Sequence, residues 1–140
     1  MIYGIRRTTN PADVDRQTSK HMHKLLCFWP EDWVKSPVNY SIVDNHGNIA
    51  LLDYVREGIY EVHIYYEDTG KEAFDRARAM LDWIFQETPA QLLVGKTPVL
   101  EKAAWFFARK LGFKRVSVIE TNWGPMYMSS LSKGQWLGNS

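Results

Sequence analysis

A change of hydrophobic period near the middle of the chain constrains its fold more than any other feature. Along 59–67 apolar and polar side chains alternate, which is typical of a β-strand with one buried face. The apolar face of this strand carries Tyr60, Val62, Ile64 and Tyr66. From Gly70 to Gln86 apolar residues recur at helical spacing instead, which indicates an amphipathic helix. The sequence therefore predicts a strand, a short turn and a long helix that packs on the sheet.

Shorter patterns on either side of this unit complete a mixed arrangement. Strands are predicted at 2–7, 40–44, 48–56, 91–95, 113–120 and 125–131. Helices are predicted at 14–28 with Asp13 as cap, at 31–35 as a single turn, and from Thr97 as N-cap to Leu111. Gly112 ends the last helix, whose inner stripe is predicted to be Leu100, Ala103, Ala104, Phe107, Ala108 and Leu111. The order β-α-β-β-β-α-β-α-β-β predicts an α/β (α+β) fold with a central mixed sheet flanked by helices.

Length and composition limit the classes of function. A chain of 140 residues is the usual size of one domain, so we expect a single domain over 1–131 and a C-terminal tail at 132–140. A net charge of +1 argues against a broad surface for nucleic acid. The single cysteine, Cys27, excludes a disulfide within the chain and a cysteine-based zinc cage. No apolar run approaches the ~20 residues of a membrane span, and these features together predict a cytoplasmic protein.

Two stretches in the second half of the chain carry a family resemblance. They are EVHIYYEDTGKEAFDRARAMLDWIF at 61–85 and VGKTPVLEKAAWFFARKLGFKRV at 94–116, the second with a Lys-Leu-Gly-Phe turn at 110–113. Both resemble the core of the GNAT (Gcn5-related N-acetyltransferase) superfamily, and most closely short GNAT-like proteins encoded by phages and prophages. The residues before 61 match by element order only. The resemblance implies the GNAT fold.

The resemblance also implies an activity, that of an acyl-CoA-dependent N-acyltransferase. Such an enzyme moves an acetyl group from acetyl-CoA, its cosubstrate, to an amine on a small molecule or a protein. In this fold the cofactor arm lies where the central strand and the next parallel strand diverge, so 62–66 and 92–95 are predicted to diverge. The pyrophosphate lies at the start of the following helix, where unpaired amides favour an anion. The cofactor residues implied are Ile64, Tyr65, Tyr66, Thr69, Gly70, Lys71, Glu72, Ala73 and Glu101.

Three departures from the family pattern favour a different function. The turn at 68–73, where the pyrophosphate is expected and which we call the phosphate turn, has one glycine, Gly70, with the acidic Asp68 and Glu72 beside it. Glu101 stands where many members have an asparagine, and Ala108 where many have a tyrosine that protonates the departing thiolate. The alternative is a catalytically inactive GNAT-like structural or assembly protein, for instance in a phage particle rather than the bacterial host cytosol. Its partners are then other protein chains, including phage virion proteins.

His63 and Glu61, two residues apart on one face of the predicted central strand, form the candidate catalytic pair. Acyl transfer needs a neutral amine, and histidine titrates near neutral pH, so His63 is the candidate general base and Glu61 its partner. The alternative is that both are solvated or paired residues on a half-covered sheet. No metal site is predicted, since His21 and His23 fall on different faces of the first helix.

The tryptophans, six in number, are too many for one small core. Trp29, Trp33 and Tyr40 bracket the segment that forms the acceptor wall in this fold; the alternative is packing under a loop or contact with another chain. We predict that at least two side chains are substantially exposed among Trp33, Trp105, Trp123 and Trp136. Trp136 also offers the C-terminal tail a way to dock.

Overall fold

The computed structural model describes residues 2–18 and 29–138 of the chain. Its strands are β1 (Arg6–Arg7), β2 (Tyr40–Val43), β3 (Ile49–Arg56), β4 (Ile59–Tyr65), β5 (Leu92–Pro98), β6 (Lys114–Thr121) and β7 (Gly124–Ser132). Its helices are α1 (Pro11–Thr18), α2 (Pro30–Lys35), α3 (Gly70–Glu87), α4 (Lys102–Leu111) and α5 (Lys133–Gly138). None of these helices is long and apolar enough to cross a membrane.

The described strands form one mixed sheet in the order β1-β2-β3-β4-β5-β7-β6, which confirms the predicted fold class. β4 and β5 are parallel, and the other neighbours are antiparallel. Pairing between β4 and β5 ends at Glu61 and Val94. β4 stays paired with β3 as far as Tyr65, and β5 stays paired with β7 as far as Pro98. The two parallel strands therefore separate toward their C-terminal ends, and the predicted divergence is confirmed.

Two apolar cores cover the two faces of the sheet. The larger core joins α3 to the central strands, and the smaller core packs α1 and α2 against the opposite face through Trp33 and its neighbours. β4 divides its side chains between them, with Val62 in the larger core and Tyr65 in the smaller. Because side chains alternate along a strand, Glu61 and His63 share the face of Tyr65. The candidate catalytic pair thus lies on the side of α1 and α2.

The turn between β4 and α3 depends on a glycine. Gly70 begins the helix with a φ of +61°, in the left-handed region that favours glycine. A Cβ at Gly70 would meet no atom within 4 Å, so backbone strain rather than crowding disfavours other residues. The start of α3 is consequently open to a ligand. The buried face of the helix carries Ala73, Arg76, Ala77, Met80, Leu81, Ile84 and Phe85.

The predicted boundaries at the beginning of the chain are wrong. β1 pairs with β2 only at Arg6 and Arg7, so the strand is much shorter than 2–7. α1 begins at Pro11 rather than at residue 14, because the side chain of Asn10, not Asp13, accepts a hydrogen bond from the Ala12 amide. Residues 19–28 of the predicted first helix, with His21, His23 and Cys27, lie outside the described residues.

The predicted start of the last core helix is also wrong. Thr97 and Pro98 do not open α4 but continue β5, where both pair with β7, and the helix begins only at Lys102. Pro98 is tolerated because it is the last residue of the strand, where a missing N–H interrupts no internal ladder. Three residues of the predicted inner stripe are exposed, namely Leu100, Ala103 and Ala104.

The residues that follow β7 pack against the body of the protein. α5 places the Trp136 ring 6.4 Å from that of Phe85, and its Nε1 donates a hydrogen bond of 2.6 Å to Oδ1 of Asp82. The segment after β7 therefore docks on α3 through Trp136. The division of the chain into a domain at 1–131 and a tail at 132–140 stays a prediction, and Ser132 belongs to β7.

The prediction of two exposed tryptophans among four is wrong. Trp136, which belongs to α5, is buried in the larger core. Trp33 is buried in the smaller core, where its Nε1 donates to Oγ of Ser41 at 2.9 Å. Trp105 is half-buried beside Tyr127. Among the four, Trp123 alone is substantially exposed, at 59%. Indole N–H groups that find hydrogen-bond acceptors allow more tryptophan inside than the composition indicates.

Replacement of Phe85 tests the larger core. Phe85 is 1% exposed, so Phe85→Ala removes a fully packed ring and leaves a cavity. We expect the free energy of unfolding, measured by chemical denaturation, to fall by about 3–5 kcal/mol. Phe106 is 62% exposed on α4, and the matched control Phe106→Ala should change this free energy by less than about 0.5 kcal/mol. Equal losses in the two variants would contradict the assignment of the core.

Candidate functional site

The opening between β4 and β5, which we call the split, is bordered by 62–64 on one side and 95–98 on the other. Each edge is paired only on its outer side, β4 with β3 and β5 with β7. Backbone N–H and C=O groups along the inner edges need hydrogen-bond partners from water or from a ligand. The split is therefore a slot that suits an extended ligand containing amide groups.

Glu61 and His63 stand at the mouth of the split. Glu61 pairs with Val94 in the last step before the strands separate, and His63 follows two residues later on the same face. Nε2 of His63 lies 3.0 Å from Oε2 of Glu61, so the structure brings the predicted pair together. The two side chains are 21% and 17% exposed. They are partly screened from solvent yet remain reachable from it.

The contact orients His63 without satisfying it. Nε2 is sealed from solvent and makes no hydrogen bond to a described residue, although Oε2 of Glu61 lies only 3.0 Å from it. The adjacent carboxylate favours the tautomer with its proton on Nε2. Nδ1 is then the nitrogen that accepts a proton.

Lys96 and Asp53 join this pair, and the four titratable side chains form what we call the split cluster. Nζ of Lys96 lies 2.9 Å from Oε1 of Glu61, so the ion pair connects β5 to β4 across the mouth. Asp53 is the cross-strand neighbour of Glu61 on β3, and oxygen or nitrogen atoms of Asp53, Glu61 and His63 lie within 4.8 Å of one another. With His63 neutral, two carboxylates and one ammonium give a net charge of −1.

The charges of the split cluster move two carboxyl pKa values in opposite directions. Contact with His63, reinforced by Lys96, lowers the pKa of Glu61 from 4.5 to about 2 against the effect of burial. Burial raises the pKa of Asp53, an effect that His63 opposes and Glu61 reinforces. Glu61 is thus held ionised near neutral pH. It can stabilise a positive charge on the imidazole or on a nearby amine.

The start of α3 presents unpaired backbone amides just beyond the end of β4. Thr69 is the N-cap but makes no side-chain capping bond, and no described residue accepts a hydrogen bond from the amides of Gly70, Lys71 or Glu72. The amide of Ala73, by contrast, is already directed to the Thr69 carbonyl at 3.4 Å. The Lys71 side chain is 88% exposed on the same turn. Free amides, the helix dipole and an ammonium make this turn a candidate anion site.

A buried arginine beneath the turn binds the acids around it. The Arg76 side chain is 5% exposed, with Nε 2.6 Å from Oε1 of Glu72 and Nη1 3.2 Å from Oδ2 of the fully buried Asp44. Its Nη2 lies 2.9 Å from Nε2 of His46, which accepts because arginine can only donate. Nδ1 of His46 then donates to Asp68 at 3.1 Å. These contacts fasten the β2–β3 turn to the start of α3.

The two acids near the turn are therefore not free charges. Glu72 is held by Arg76, while Nδ2 of Asn48 donates to Oδ2 of Asp68 at 2.6 Å and lowers the pKa of Asp68. No motif in the sequence predicts this network. Its signal is Arg76 itself, which falls within the buried stripe of α3, because an arginine at a buried helix position needs anionic partners.

The other residues that the resemblance assigns to cofactor binding can contact a ligand through their backbone rather than through their side chains. Ile64 and Tyr66 pack against the larger core, where the Tyr66 hydroxyl donates to Sδ of Met80 at 3.3 Å. Tyr65 is buried in the smaller core, and burial raises its pKa to about 12. Glu101 is the N-cap of α4 and makes no side-chain capping bond.

Most side chains predicted for the acceptor wall are not on the surface, and the position expected to protonate the leaving group carries no acid. Trp33 belongs to the smaller core, and Tyr40 is half-buried with the Arg7 guanidinium 4.2 Å from its ring centroid. Trp29 is 73% exposed, so it alone of the three lies on the surface. Ala108 packs against the larger core, and its methyl group has no proton to donate.

Two groups of described residues have the composition of metal ligands. One is the acidic and imidazole part of the split cluster, and the other is His46 with Asp68 and Glu72. A protein cation already contacts the carboxylates of each group, Lys96 in the first and Arg76 in the second. A cation of the protein competes with a metal ion for the same oxygens. We assign both groups as charge networks.

The similarity of this chain to known proteins lies in its fold and not in its sequence. No family model and no curated protein sequence matches the chain. Mutant forms of the spermidine/spermine N-acetyltransferase SpeG from Vibrio cholerae superpose with a TM-score of 0.78 at 10% identity, covering 96% of each chain. A dodecameric spermidine N-acetyltransferase from Vibrio cholerae gives 0.73 at 14% identity, covering 97% of this chain and 96% of that chain. A GNAT-family acetyltransferase from Bacillus anthracis gives 0.64 at 15% identity, covering 93% and 94%.

The chain has the GNAT acetyltransferase fold. Solved GNAT-family and SpeG acetyltransferase structures superpose on it over nearly the whole length of both chains. The resemblance found in residues 61–116 is thus confirmed at the level of the fold. At 10–15% identity the likeness carries no conclusion about substrate, and the narrower resemblance to phage-encoded proteins stays a prediction.

Glu61 makes the stability of the folded state depend on pH. Its pKa is about 2 in the folded protein against an ordinary value of 4.5, so its charge stabilises the fold above pH 4.5 and this contribution is lost as the pH falls toward 2. Glu61→Gln should therefore remove part of the loss of unfolding free energy that the parent protein shows over this range, measured by urea denaturation. Glu87→Gln, at an exposed position, is the control. Identical pH profiles for the parent and Glu61→Gln would contradict the assignment.

Arg76 should be essential to stability because it is the cation beside a buried carboxylate. Arg76→Met leaves Asp44, whose side chain is fully buried, without that partner. We expect the free energy of unfolding to fall by about 3–5 kcal/mol, and the double variant with Asp44→Asn to recover part of the loss. Arg78→Met, on the exposed side of the same helix, should cost about 1 kcal/mol or less. An unchanged free energy of unfolding in Arg76→Met would contradict a stabilising role for this network.

Proposed function

We propose that the protein is an acyl-CoA-dependent N-acyltransferase that transfers an acetyl group from acetyl-CoA to an amine. The observation that carries the proposal is the position of the split cluster, at the point where β4 and β5 separate. A slot with unpaired backbone edges opens beside a histidine that faces an ionised glutamate. The likeness in fold to solved acetyltransferases supports the same activity.

The described residues fit the cofactor. The inner edges of the split offer hydrogen bonds to the amide groups of a pantetheine arm. The amides of Gly70, Lys71 and Glu72 suit a pyrophosphate, and the empty space beside Gly70 allows it to approach. The charges of Asp68 and Glu72 oppose an anion, and the contacts of Arg76 with both acids offset part of that charge.

The chemistry of the chain's own residues is the preparation of the amine. When bound, the cofactor supplies a thioester whose carbonyl carbon accepts the electron pair of the amine. Asp53 and Glu61 make the mouth of the split negative, so it attracts the acceptor as an ammonium. Nδ1 of His63 then takes a proton from that ammonium, and Glu61 stabilises the imidazolium through Nε2. Ala108 has no proton to give, so solvent water would have to protonate the departing thiolate.

A second function, a non-catalytic structural or assembly role, is favoured by separate observations. Asp68 and Glu72 flank the phosphate turn, and Ala108 stands where many family members carry an acid. Apolar side chains that are 54–88% exposed also occur on α4, β6 and the turns beside them, namely Leu100, Phe106, Val116, Val118 and Trp123. Exposed apolar surface of this kind suits contact with another protein chain, a phage virion protein among the candidates.

A matched pair of glycine variants tests cofactor binding. Gly70 and Gly124 both have positive φ and no atom within 4 Å of a Cβ, so valine introduces a comparable strain at either position. Acetyl-CoA at about 100 times its dissociation constant should stabilise the parent protein and Gly124→Val by about 2.7 kcal/mol. It should not shift the thermal unfolding of Gly70→Val, whose side chain occupies the approach to the phosphate turn.

His63→Ala separates binding from catalysis. This variant should keep the thermal shift with acetyl-CoA. It should acetylate an added amine such as spermidine about 100- to 10,000-fold more slowly, as measured by the release of the CoA thiol. Absence of any thermal shift in the parent protein at millimolar acetyl-CoA would reject the enzyme and leave the assembly role.

A further inference from the structure

Lys96 holds its amine against Glu61, next to the candidate general base His63. It belongs to β5 beyond the last pair with β4, and it shares the face of Val94. Nζ lies 2.9 Å from Oε1 of Glu61, whose other oxygen faces His63 at 3.0 Å. The Lys96 side chain is 41% exposed, so its ammonium is not sealed within the protein.

We propose that Lys96 is a self-acetylation site. In the presence of acetyl-CoA the protein transfers one acetyl group to its own Lys96 Nζ. This inference rests on the proposed N-acyltransferase function and goes beyond it by naming an acceptor within the chain.

The step balances with an acyl-CoA thioester as its only co-reactant. The Lys96 ammonium gives one proton to His63, and Glu61 stabilises the imidazolium that results. The electron pair of Nζ forms a C–N bond to the thioester carbonyl carbon while the C–S bond breaks. A second proton passes from the nitrogen to the departing thiolate. The products are an acetamide on Lys96, the CoA thiol and a proton that His63 returns to solvent.

Proximity distinguishes Lys96 from the other described lysines. Lys71 is 88% exposed and pairs with Asp75 away from the split, and Lys102 and Lys114 are exposed on α4 and β6. Acetylation by free acetyl-CoA in solution should favour the more accessible amines. Acetylation by the protein should favour the amine that is already held against Glu61, since a fixed geometry replaces a random encounter.

Mass spectrometry of the whole protein and of its peptides, after incubation with acetyl-CoA and no added amine, tests the proposal. We expect one acetyl group per chain, on Lys96, formed at least about tenfold faster than at the reference lysines Lys71, Lys102 and Lys114. Gly70→Val and His63→Ala should both lose this preference. Lys96→Arg should lose the modification and keep its thermal shift with acetyl-CoA, which shows that the variant is folded.

The outcomes separate this proposal from the proposed function. A thermal shift and transfer to added spermidine, with no preference for Lys96, would overturn self-acetylation and leave the N-acyltransferase. Absence of both thermal shift and transfer would overturn the two together. A preference for Lys96 that persists in Gly70→Val or in heat-unfolded protein would mark chemical acetylation and also overturn the proposal.

Discussion

The end of the parallel pairing at Glu61 and Val94 is the constraint on which the rest of the site depends. A sheet that stayed closed would satisfy the backbone of both strands and leave no slot. β3 holds β4 as far as Tyr65, and β7 holds β5 as far as Pro98, so the inner edges open without loss of the sheet. Unpaired backbone groups cost free energy unless something satisfies them. A ligand with its own amide groups can meet that need along both edges.

Each half of the site is organised around one protein cation among carboxylates. At the mouth of the split Lys96 contacts Glu61, and at the start of α3 Arg76 binds Asp44 and Glu72. Arg76 is buried and uses its planar fork on several partners at once, which suits a fixed structural tie. Lys96 is half-exposed and makes one point contact on a flexible stem. Arg76 therefore holds the turn in place, whereas the single contact of Lys96 with Glu61 can open without disturbing the fold.

The sequence was informative where local geometry decides the outcome and failed where a distant strand decides it. Alternation predicted both faces of β4, and helical spacing predicted α3 almost to its last residue. Thr97 and Pro98 have the chemistry of a helix start, yet pairing with β7 draws them into β5. For Trp33 the sequence left open a groove, packing under a loop or contact with another chain, and the hydroxyl of Ser41 provides the buried acceptor that places it in a core.

By itself the sequence determined the order of the elements as far as β7, the parallel strand-helix-strand unit and the placement of Glu61 and His63 on one face, but not α5. These follow from backbone periodicity, which depends only on neighbours along the chain. Only the tertiary structure decided that Lys96 meets Glu61 and that Arg76 satisfies the acids near the phosphate turn. Most of these partners are tens of residues apart in sequence. No local pattern records such a contact, because the burial and the electrostatic attraction that select it exist only once the strands have assembled.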